Sequence, residues 1–260
     1  MPVPHDAFGA QDQGAGLSMA ARKDAAEAVT RISRALSRKV DALEFGAPVA
    51  FVYNPLDYAR APHERYLAFA RRGVDALFLG MNPGPFGMAQ TGVPFGEVAA
   101  VRDFLGIDAK VRAPRSVHPK RPIDGFACTR SEVSGRRFWG LMAREFETPE
   151  RFFARGFVWN WCPLAFMAES GANITPDKLV RAEREQIEEA CDDALRSMVK
   201  ALEPRVIVGV GAFASKCAAR ALGADAPEIV TMLHPSPASP AANRGWDAEA
   251  RKALVRVLGR

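Results

Sequence analysis

The sequence predicts an α/β fold, a three-layer α/β/α sandwich with a short, mostly parallel central sheet. Five short apolar runs with the length of buried strands alternate with longer segments whose apolar residues have helical spacing. Most of these runs end at glycine, asparagine or proline, which regular elements tolerate poorly. Strands that alternate with helices form parallel sheets covered on both faces, and their carboxyl ends lie along one edge, where ligands bind.

The first half of the chain supplies two of these runs. Apolar residues at three-to-four spacing predict a helix over residues 18–45. Residues 48–53 (PVAFVY) predict a short strand, and residues 62–72 (PHERYLAFARR) predict a short helix whose basic end suits the helix dipole. The next strand covers residues 74–79, and a helix is expected over residues 96–105.

A loop rich in glycine and proline, residues 80–96, follows the second strand. It has five glycines and three prolines. Proline fixes the backbone while glycine removes side chains, so we expect a stiff loop that a ligand can approach closely.

Residues 107–137 are irregular and strongly basic. Their basic side chains are Lys110, Arg112, Arg115, His118, Lys120, Arg121, Arg130, Arg136 and Arg137. Such a region is either a solvated loop or a surface that contacts nucleic-acid phosphates.

The second half continues the alternation. Its predicted elements are a helix over residues 134–146, a strand ending near residue 160, a helix over 176–202, a strand and helix over 206–222, a strand over 228–233 and a final helix over 246–258. The first of these helices buries Phe138, Leu141, Met142 and Phe146. Thr175 is predicted to cap the helix that begins at Pro176. The acidic face of that helix is expected to point to solvent, away from any nucleic-acid partner. It comprises Glu183, Glu185, Glu188, Glu189, Asp192 and Asp193.

Length and composition bound the possibilities. With 260 residues, 48% of them hydrophobic, the chain can bury one sizeable core. We expect a disordered tail over residues 1–16 and a single domain over residues 17–260. No apolar run is long enough to span a bilayer, and no signal peptide is recognisable. The expected compartment is the cytoplasm, at the nucleoid, in a bacterium, or the nucleus in a eukaryote.

The net charge of +5 suits a polyanionic partner, although many basic proteins bind no nucleic acid. The four cysteines, Cys128, Cys162, Cys191 and Cys217, are too widely spaced for a zinc or iron–sulfur clip. We therefore expect reduced structural thiols, no metal and no cofactor.

Three polar side chains stand within about three residues of a predicted strand end, at Asn82, Asn160 and His234. Because the carboxyl ends of parallel strands share one edge, these distant positions are expected to converge there.

Five sequence words also carry a family resemblance. They are GMNPGPFGMAQTGVPFGEV from Gly80, HPKRP from His118, SEVSGRRFW from Ser131, WNWCPLAFM from Trp159 and HPSPASPAANRGW from His234. In this order they resemble the single-strand-selective monofunctional uracil-DNA glycosylases, family 3 of the uracil-DNA glycosylase superfamily. The resemblance covers residues 74–246 and implies a sandwich with its site at the carboxyl edge of the sheet. It implies monofunctional excision of uracil, and of 5-hydroxymethyluracil-type bases, from single-stranded or duplex DNA.

The chemistry of the central loop fits this resemblance. No carboxylate, cysteine or histidine lies in the loop near Asn82, and an amide holds a water but does not accept its proton. Cleavage of an N-glycosidic bond through an oxocarbenium-like transition state needs little more than a positioned water. His234 would then donate a hydrogen bond to uracil O2 as negative charge builds on the departing base, or else serve only to hold its own loop.

The resemblance assigns the rest of the base-binding site. Asn160 would donate to uracil O4 and accept from N3–H, which cytosine does not match, although such an asparagine is otherwise a turn former. Phe86 and Phe95 are both candidates to stack on the flipped base, and the resemblance selects Phe95. Met81 and Gly84 would surround the C5 edge, where a small residue leaves room for polar substituents.

Duplex opening is assigned to the loop after His234. Its DNA-binding or wedge candidates are Pro235, Ser236, Pro237, Asn243 and Arg244. The family typically has a basic residue where this chain has Ala238, so Asn243 or Arg244 is expected to serve instead. We expect weak duplex opening and a relative preference for single strands or mispaired uracil.

Two other readings stay open. Gly209, Gly211 and Ala214 form the outline of a dinucleotide-binding turn, but the acidic residue that should end the next strand is absent. That helix start would instead suit a DNA phosphate. The second alternative is a nucleic-acid binder without catalysis. One cleft per chain suffices for either activity, so we expect a monomer.

Overall fold

The structure is a computed structural model that describes residues 10–259, with side chains from Lys23 onward. Its strands are β1 (Phe51–Tyr53), β2 (Ala76–Gly80), β3 (Gly156–Asn160), β4 (Ala165–Met167), β5 (Asn173–Ile174), β6 (Val206–Val210) and β7 (Glu228–Met232). Its α-helices are α1 (Ala10–Asp41), α2 (Pro55–Tyr58), α3 (Arg60–Leu67), α4 (Met88–Thr91), α5 (Val133–Phe146), α6 (Pro149–Phe153), α7 (Arg181–Leu202), α8 (Ala212–Leu222) and α9 (Pro240–Leu258).

The predicted parallel sheet is confirmed. Its strand order is β3-β2-β6-β7, and every pairing in it is parallel. β2, β3 and β6 are buried at every position, because both faces of the sheet are covered. In the pairing of β2 with β3, Gly80 lies opposite Asn160, so these two strands end together.

The three-layer arrangement is also confirmed. On one face, the Phe78 ring packs against Phe138 of α5 and Phe152 of α6. On the other, α8 approaches the sheet so closely that a Cβ on Gly209 would lie 2.1 Å from the Ser215 hydroxyl oxygen. α7 packs on α8, and α1 packs against α7, α2 and α3. One hydrophobic cluster extends from α1 to α9.

A second, antiparallel sheet with the order β1-β4-β5 was not predicted. β1 belongs to this small sheet and pairs with β4, with Tyr53 opposite Ala165. β4 and β5 are only three and two residues long, too short to show a periodic pattern.

Several predicted boundaries were wrong. α1 begins at Ala10 rather than at residue 18, so residues 10–16 of the predicted tail are helical, while residues 1–9 lie outside the described part. The helix expected over 96–105 contains a π-helical segment, Ala100–Phe104. Thr175 precedes a 3₁₀ turn, Pro176–Lys178, and makes no cap hydrogen bond; α7 starts only at Arg181.

The final helix and the acidic face also differ from expectation. α9 begins at Pro240, and its helical conformation is interrupted at Gly245. On α7, Asp192 is buried rather than solvated. Its carboxylate accepts hydrogen bonds from the Trp161 indole and from the Arg220 guanidinium, which compensate its loss of water.

The basic region only partly suits a phosphate surface. His118 is buried and bonded to backbone groups, so it is not a phosphate contact. Arg112 and Arg115 form ion pairs with Asp57 and Asp41. The side chains of Lys110, Lys120, Arg130 and Arg136 are exposed. Within residues 10–259, no helix has both the length and the apolar character that crossing a membrane requires.

Candidate active site

The predicted side chains converge on one cavity of about 200 Å³ at the carboxyl edge of the parallel sheet. Seven predicted residues line it: Met81, Asn82, Gly84, Phe95, Asn160, His234 and Ser236. Asn160 is the last residue of β3, Asn82 lies two residues beyond β2, and His234 lies two residues beyond β7. The topology of the sheet therefore brings them together, as expected from their places at strand ends.

The central loop is held rigidly by its own Gln90 and by side chains of other elements. The buried Gln90 amide donates to the carbonyls of Pro85 and Pro122 and accepts from the backbone N–H groups of Asp124 and Gly125. Without the Gln90 amide, these carbonyl and N–H groups would lose their hydrogen bonds to water on folding and gain no partner in the protein. Three more side chains bond to loop carbonyls: Tyr58, His63 and Trp139.

Phe95 has a backbone conformation that a bulky residue rarely adopts, with φ of +53°. Its ring stacks on Phe138 at a centroid distance of 4.8 Å and lies 6.2 Å from the His234 ring. Such strain persists only where the surroundings enforce it, and it is common at ligand sites. Phe86, the other stacking candidate, lies under the guanidinium of Arg130, 3.9 Å from the ring centroid. The packing thus favours Phe95 as the stacking ring.

Within the described part of the chain, one hydrogen bond orients the Asn82 side chain. Its amide nitrogen donates to the Leu164 carbonyl at 3.2 Å. This bond fixes the amide and leaves its oxygen as an acceptor at the cavity, where it suits a water molecule.

His234 is neutral at physiological pH, since burial lowers the pKa of its imidazole to about 4. Its Nδ1 accepts a hydrogen bond from the Ser236 backbone N–H at 3.1 Å. The single ring proton must therefore be on Nε2, which acts as a donor. Behind the ring, Gly211 has a φ of +94°, and a Cβ there would lie 3.2 Å from the Cβ of His234. This close approach of the β6–α8 turn fixes the position of the imidazole.

Asn160 is only 4% exposed and lines the cavity. Its amide nitrogen bonds to the Met88 sulfur at 3.2 Å. Because a thioether is a weak acceptor, a bound base with a stronger acceptor would compete for this amide. The amide oxygen lies beside Gly80, where a Cβ would come within 2.2 Å of it.

Glu132 was missed by the sequence reasoning: the central loop itself has no carboxylate near Asn82, but the fold brings this one into the same cavity. It stands immediately before α5 and lines the cavity with Ser134, Asn173 and Thr175, which were also missed. Burial, together with the nearby Glu97 carboxylate, raises the pKa of Glu132 to about 7. The family resemblance included the sequence SEVSG, which contains Glu132, but nothing in that sequence shows that the Glu132 side chain turns back to the central loop.

The loop after His234 forms the rim of the cavity. Of its wedge candidates, Ser236 lines the cavity, whereas Pro235, Pro237, Asn243 and Arg244 do not. Arg137 donates to the Pro235 carbonyl and to the Asn243 amide oxygen, and the Asn243 nitrogen donates to the Pro237 carbonyl. Asn243 thus holds the loop together. Arg244 is exposed and makes no hydrogen bond or ion pair with any described residue.

The glycines near the end of β6 and in the β6–α8 turn are explained by packing. Gly209 lets α8 approach the sheet, and Gly211 seats His234. The four cysteines are free thiols, and Cys162, Cys191 and Cys217 are buried. Across the described part of the chain, no group of three histidine, cysteine or acidic residues is arranged to hold a metal ion.

Comparison with known proteins defines the class. Residues 68–256 match the uracil DNA glycosylase superfamily, so the chain belongs to that superfamily. A crystal structure of SMUG2 from Pedobacter heparinus has a similar fold, with a TM-score of 0.64 and 17% identity. The alignment covers 88% of this chain and 97% of that one.

Closer relatives narrow the class further. The single-strand selective monofunctional uracil-DNA glycosylase of Rattus norvegicus is 50% identical over 225 residues, which cover 85% of this chain and 81% of the relative. Its counterparts from Mus musculus and Bos taurus are 49% and 50% identical over similar lengths. The chain therefore belongs to the family of single-strand-selective monofunctional uracil-DNA glycosylases, as its sequence words predicted.

Proposed function

We propose that the cavity binds a uracil flipped out of DNA and hydrolyses its N-glycosidic bond, leaving an abasic site. The observation that carries this proposal is the convergence of Asn82, Phe95, Asn160 and His234 on one cavity. Their chemistry is complementary to uracil: a ring to stack on, a buried amide for the O4 and N3–H edge, and an Nε2–H donor for O2.

The reaction divides between the two ends of the base. The oxygen of Asn82 holds a water near the sugar, while the sugar develops oxocarbenium character. His234, neutral and fixed by Ser236 and Gly211, donates to the O2 atom on which the leaving uracil gathers negative charge. No lysine is among the residues that line the cavity, which agrees with simple hydrolysis rather than an imine mechanism.

Uracil release from a labelled single-stranded oligonucleotide tests this function. We expect Asn82→Ala and His234→Ala each to lower the rate by about 100- to 1000-fold while binding of the oligonucleotide is retained. Retained binding also shows that the variants are folded. Unchanged release in both variants would instead support a protein that binds nucleic acid without acting on it.

The DNA form is a finer part of the proposal. We propose that the enzyme, a monomer, acts on single strands and on mispaired uracil in preference to U·A pairs, with Arg244 as the rim residue that enters the duplex. Two observations support this assignment: Ala238 stands where the family typically has a basic residue, and the exposed guanidinium of Arg244 has no ion-pair partner among the described residues.

Comparing release from single strands, U·G duplexes and U·A duplexes tests this preference. Arg244→Ala should slow release from duplexes several-fold more than from single strands. Arg256→Ala is the matched control, because Arg256 lies on the same helix and pairs with Glu228 at the opposite edge of the sheet. A strong preference for U·A, or equal losses on all substrates, would contradict the assignment.

A further inference from the structure

The basic side chains between residues 118 and 138 form no ion pair with any described residue. They are Lys120, Arg121, Arg130, Arg136 and Arg137. By contrast, Arg112 and Arg115 before this segment and Arg144 after it each pair with an aspartate. Cations that the fold leaves without acids suit an external polyanion.

Arg130 places its guanidinium on an aromatic ring at the surface. Its Cζ atom lies 3.9 Å from the ring centroid of Phe86, which is close contact for a cation over a ring. The guanidinium of Arg121, held by the carbonyls of Gly171 and Lys120, lies 5.4 Å from the same centroid. The Arg130 side chain is exposed and makes no hydrogen bond with a described residue. The side of its guanidinium away from the ring therefore faces solvent.

This pair stands just outside the cavity. Phe86 follows Gly84 by two residues and Arg130 precedes Glu132 by two, and both Gly84 and Glu132 line the cavity. Because consecutive Cα atoms are about 3.8 Å apart, the backbones of Phe86 and Arg130 lie within about 8 Å of the cavity wall. A nucleotide next to one inside the cavity is therefore within reach of the pair.

We propose that the guanidinium of Arg130, backed by Phe86, is a stacking platform for the base next to the flipped uracil in single-stranded DNA. A planar guanidinium offers a flat cationic face on which any base can stack, and single-strand-binding proteins combine such faces with basic grooves. In a duplex the same base is already paired and stacked, so the platform favours single strands. The inference rests on the proposed function and adds the place where the strand outside the cavity binds.

Single-turnover uracil release from single strands that lack a neighbouring base tests this inference. In one oligonucleotide adenines flank the uracil, and in two others a tetrahydrofuran abasic residue replaces the 5′ or the 3′ neighbour. For the unsubstituted enzyme, loss of one of these two bases should raise the enzyme concentration at half-maximal rate about 5- to 100-fold. Arg130→Lys keeps the positive charge but has no planar group, so the same loss should raise that concentration less than about twofold.

Arg38→Lys is the matched control and should keep the full dependence on the neighbouring base, because Arg38 is an exposed residue of α1 without an ion pair among the described residues. The inference would be overturned if neither abasic residue affected the unsubstituted enzyme, or if Arg130→Lys kept the full dependence. Equal losses in Arg130→Lys on single strands and on U·G duplexes would also overturn it, since the contact would then not need an unpaired base. Failure of the proposed function is distinguishable, because the unsubstituted enzyme would then release no uracil from any of the oligonucleotides.

Discussion

The floor and the rim of the cavity are built in different ways. The floor is the central loop, residues 80–96, which is fixed by buried side chains from α2, α3 and α5 and by the four hydrogen bonds of Gln90. The rim is the loop after His234, which is closed by its own turns and by the partly exposed Arg137.

The difference follows from the work that each region does. The floor must hold a base and a water within fractions of an ångström of the reacting geometry, so its backbone polar groups are bonded before substrate arrives. The rim meets DNA in several forms, and hydrogen bonds at its exposed surface exchange readily with water. Substitutions in the floor should therefore affect the chemistry or the fold, and substitutions in the rim should affect the choice of DNA.

Apart from substitution of Asn82 or His234 themselves, the largest effect is expected at the end of β2. In Gly80→Ala the new Cβ would lie 2.2 Å from the Asn160 oxygen and 2.9 Å from the Phe95 ring, so both side chains must move. Because displacements of about an ångström are costly in a preorganised site, release of uracil from single strands should fall about 100-fold. Gly140→Ala is the control, since its Cβ would meet only Arg144 at 3.5 Å. Equal rates in the two variants would show that the floor adapts.

The next effect is on stability. Gln90→Ala removes four hydrogen bonds and leaves two carbonyls and two N–H groups without partners. We expect the free energy of unfolding to fall by about 2–4 kcal/mol, measured by urea denaturation. Gln186→Ala, at an exposed position of α7, should change it by less than about 0.5 kcal/mol. A loss of the same small size in Gln90→Ala would show that water satisfies the freed groups.

Part of the fold and of the site could be predicted from the sequence alone, and part could not. Apolar runs that end at turn residues predicted the parallel sheet, and strand ends located Asn82, Asn160 and His234, because a buried strand leaves a strong local pattern. Glu132 and Asp192 carry no such pattern. Their environments depend on partners far along the chain: the Gly84 backbone for the first, and Trp161 and Arg220 for the second.

A smaller effect should appear as a pH dependence of the floor. The pKa of Glu132 rises from 4.5 to about 7 in the folded chain, so the folded state holds this proton more tightly. The contribution of Glu132 to the free energy of unfolding, measured as the difference between the unsubstituted protein and Glu132→Gln, should therefore fall as pH rises from about 4.5 to 7, by at most about 3 kcal/mol, and then level off. The difference is needed because the lowered pKa of His234 gives the whole protein a term of opposite sign over the same range. Glu132→Gln lacks this term and should be the more stable protein at pH 8. The description of the Glu132 carboxyl group would be wrong if the difference in unfolding free energy between the unsubstituted protein and Glu132→Gln stayed constant across this pH range. It would also be wrong if Glu189→Gln differed from the unsubstituted protein in the same pH-dependent way.

The smallest effect is expected at the rim. Arg137 joins α5 to the loop through the Pro235 carbonyl and the Asn243 oxygen, at 2.9 and 3.0 Å. Arg137→Ala should slow uracil release from duplexes by about three- to tenfold, which is the size expected for the loss of one or two exposed hydrogen bonds. The reason is that the loop is then less ordered where it meets the DNA duplex. Release from single strands should change less, since His234 keeps its own bond to Ser236. Arg144→Ala, on the same helix and paired with Asp247, is the control for loss of positive charge. A loss on single strands as large as on duplexes would mean that the rim also holds His234, and the division between floor and rim would have to be withdrawn.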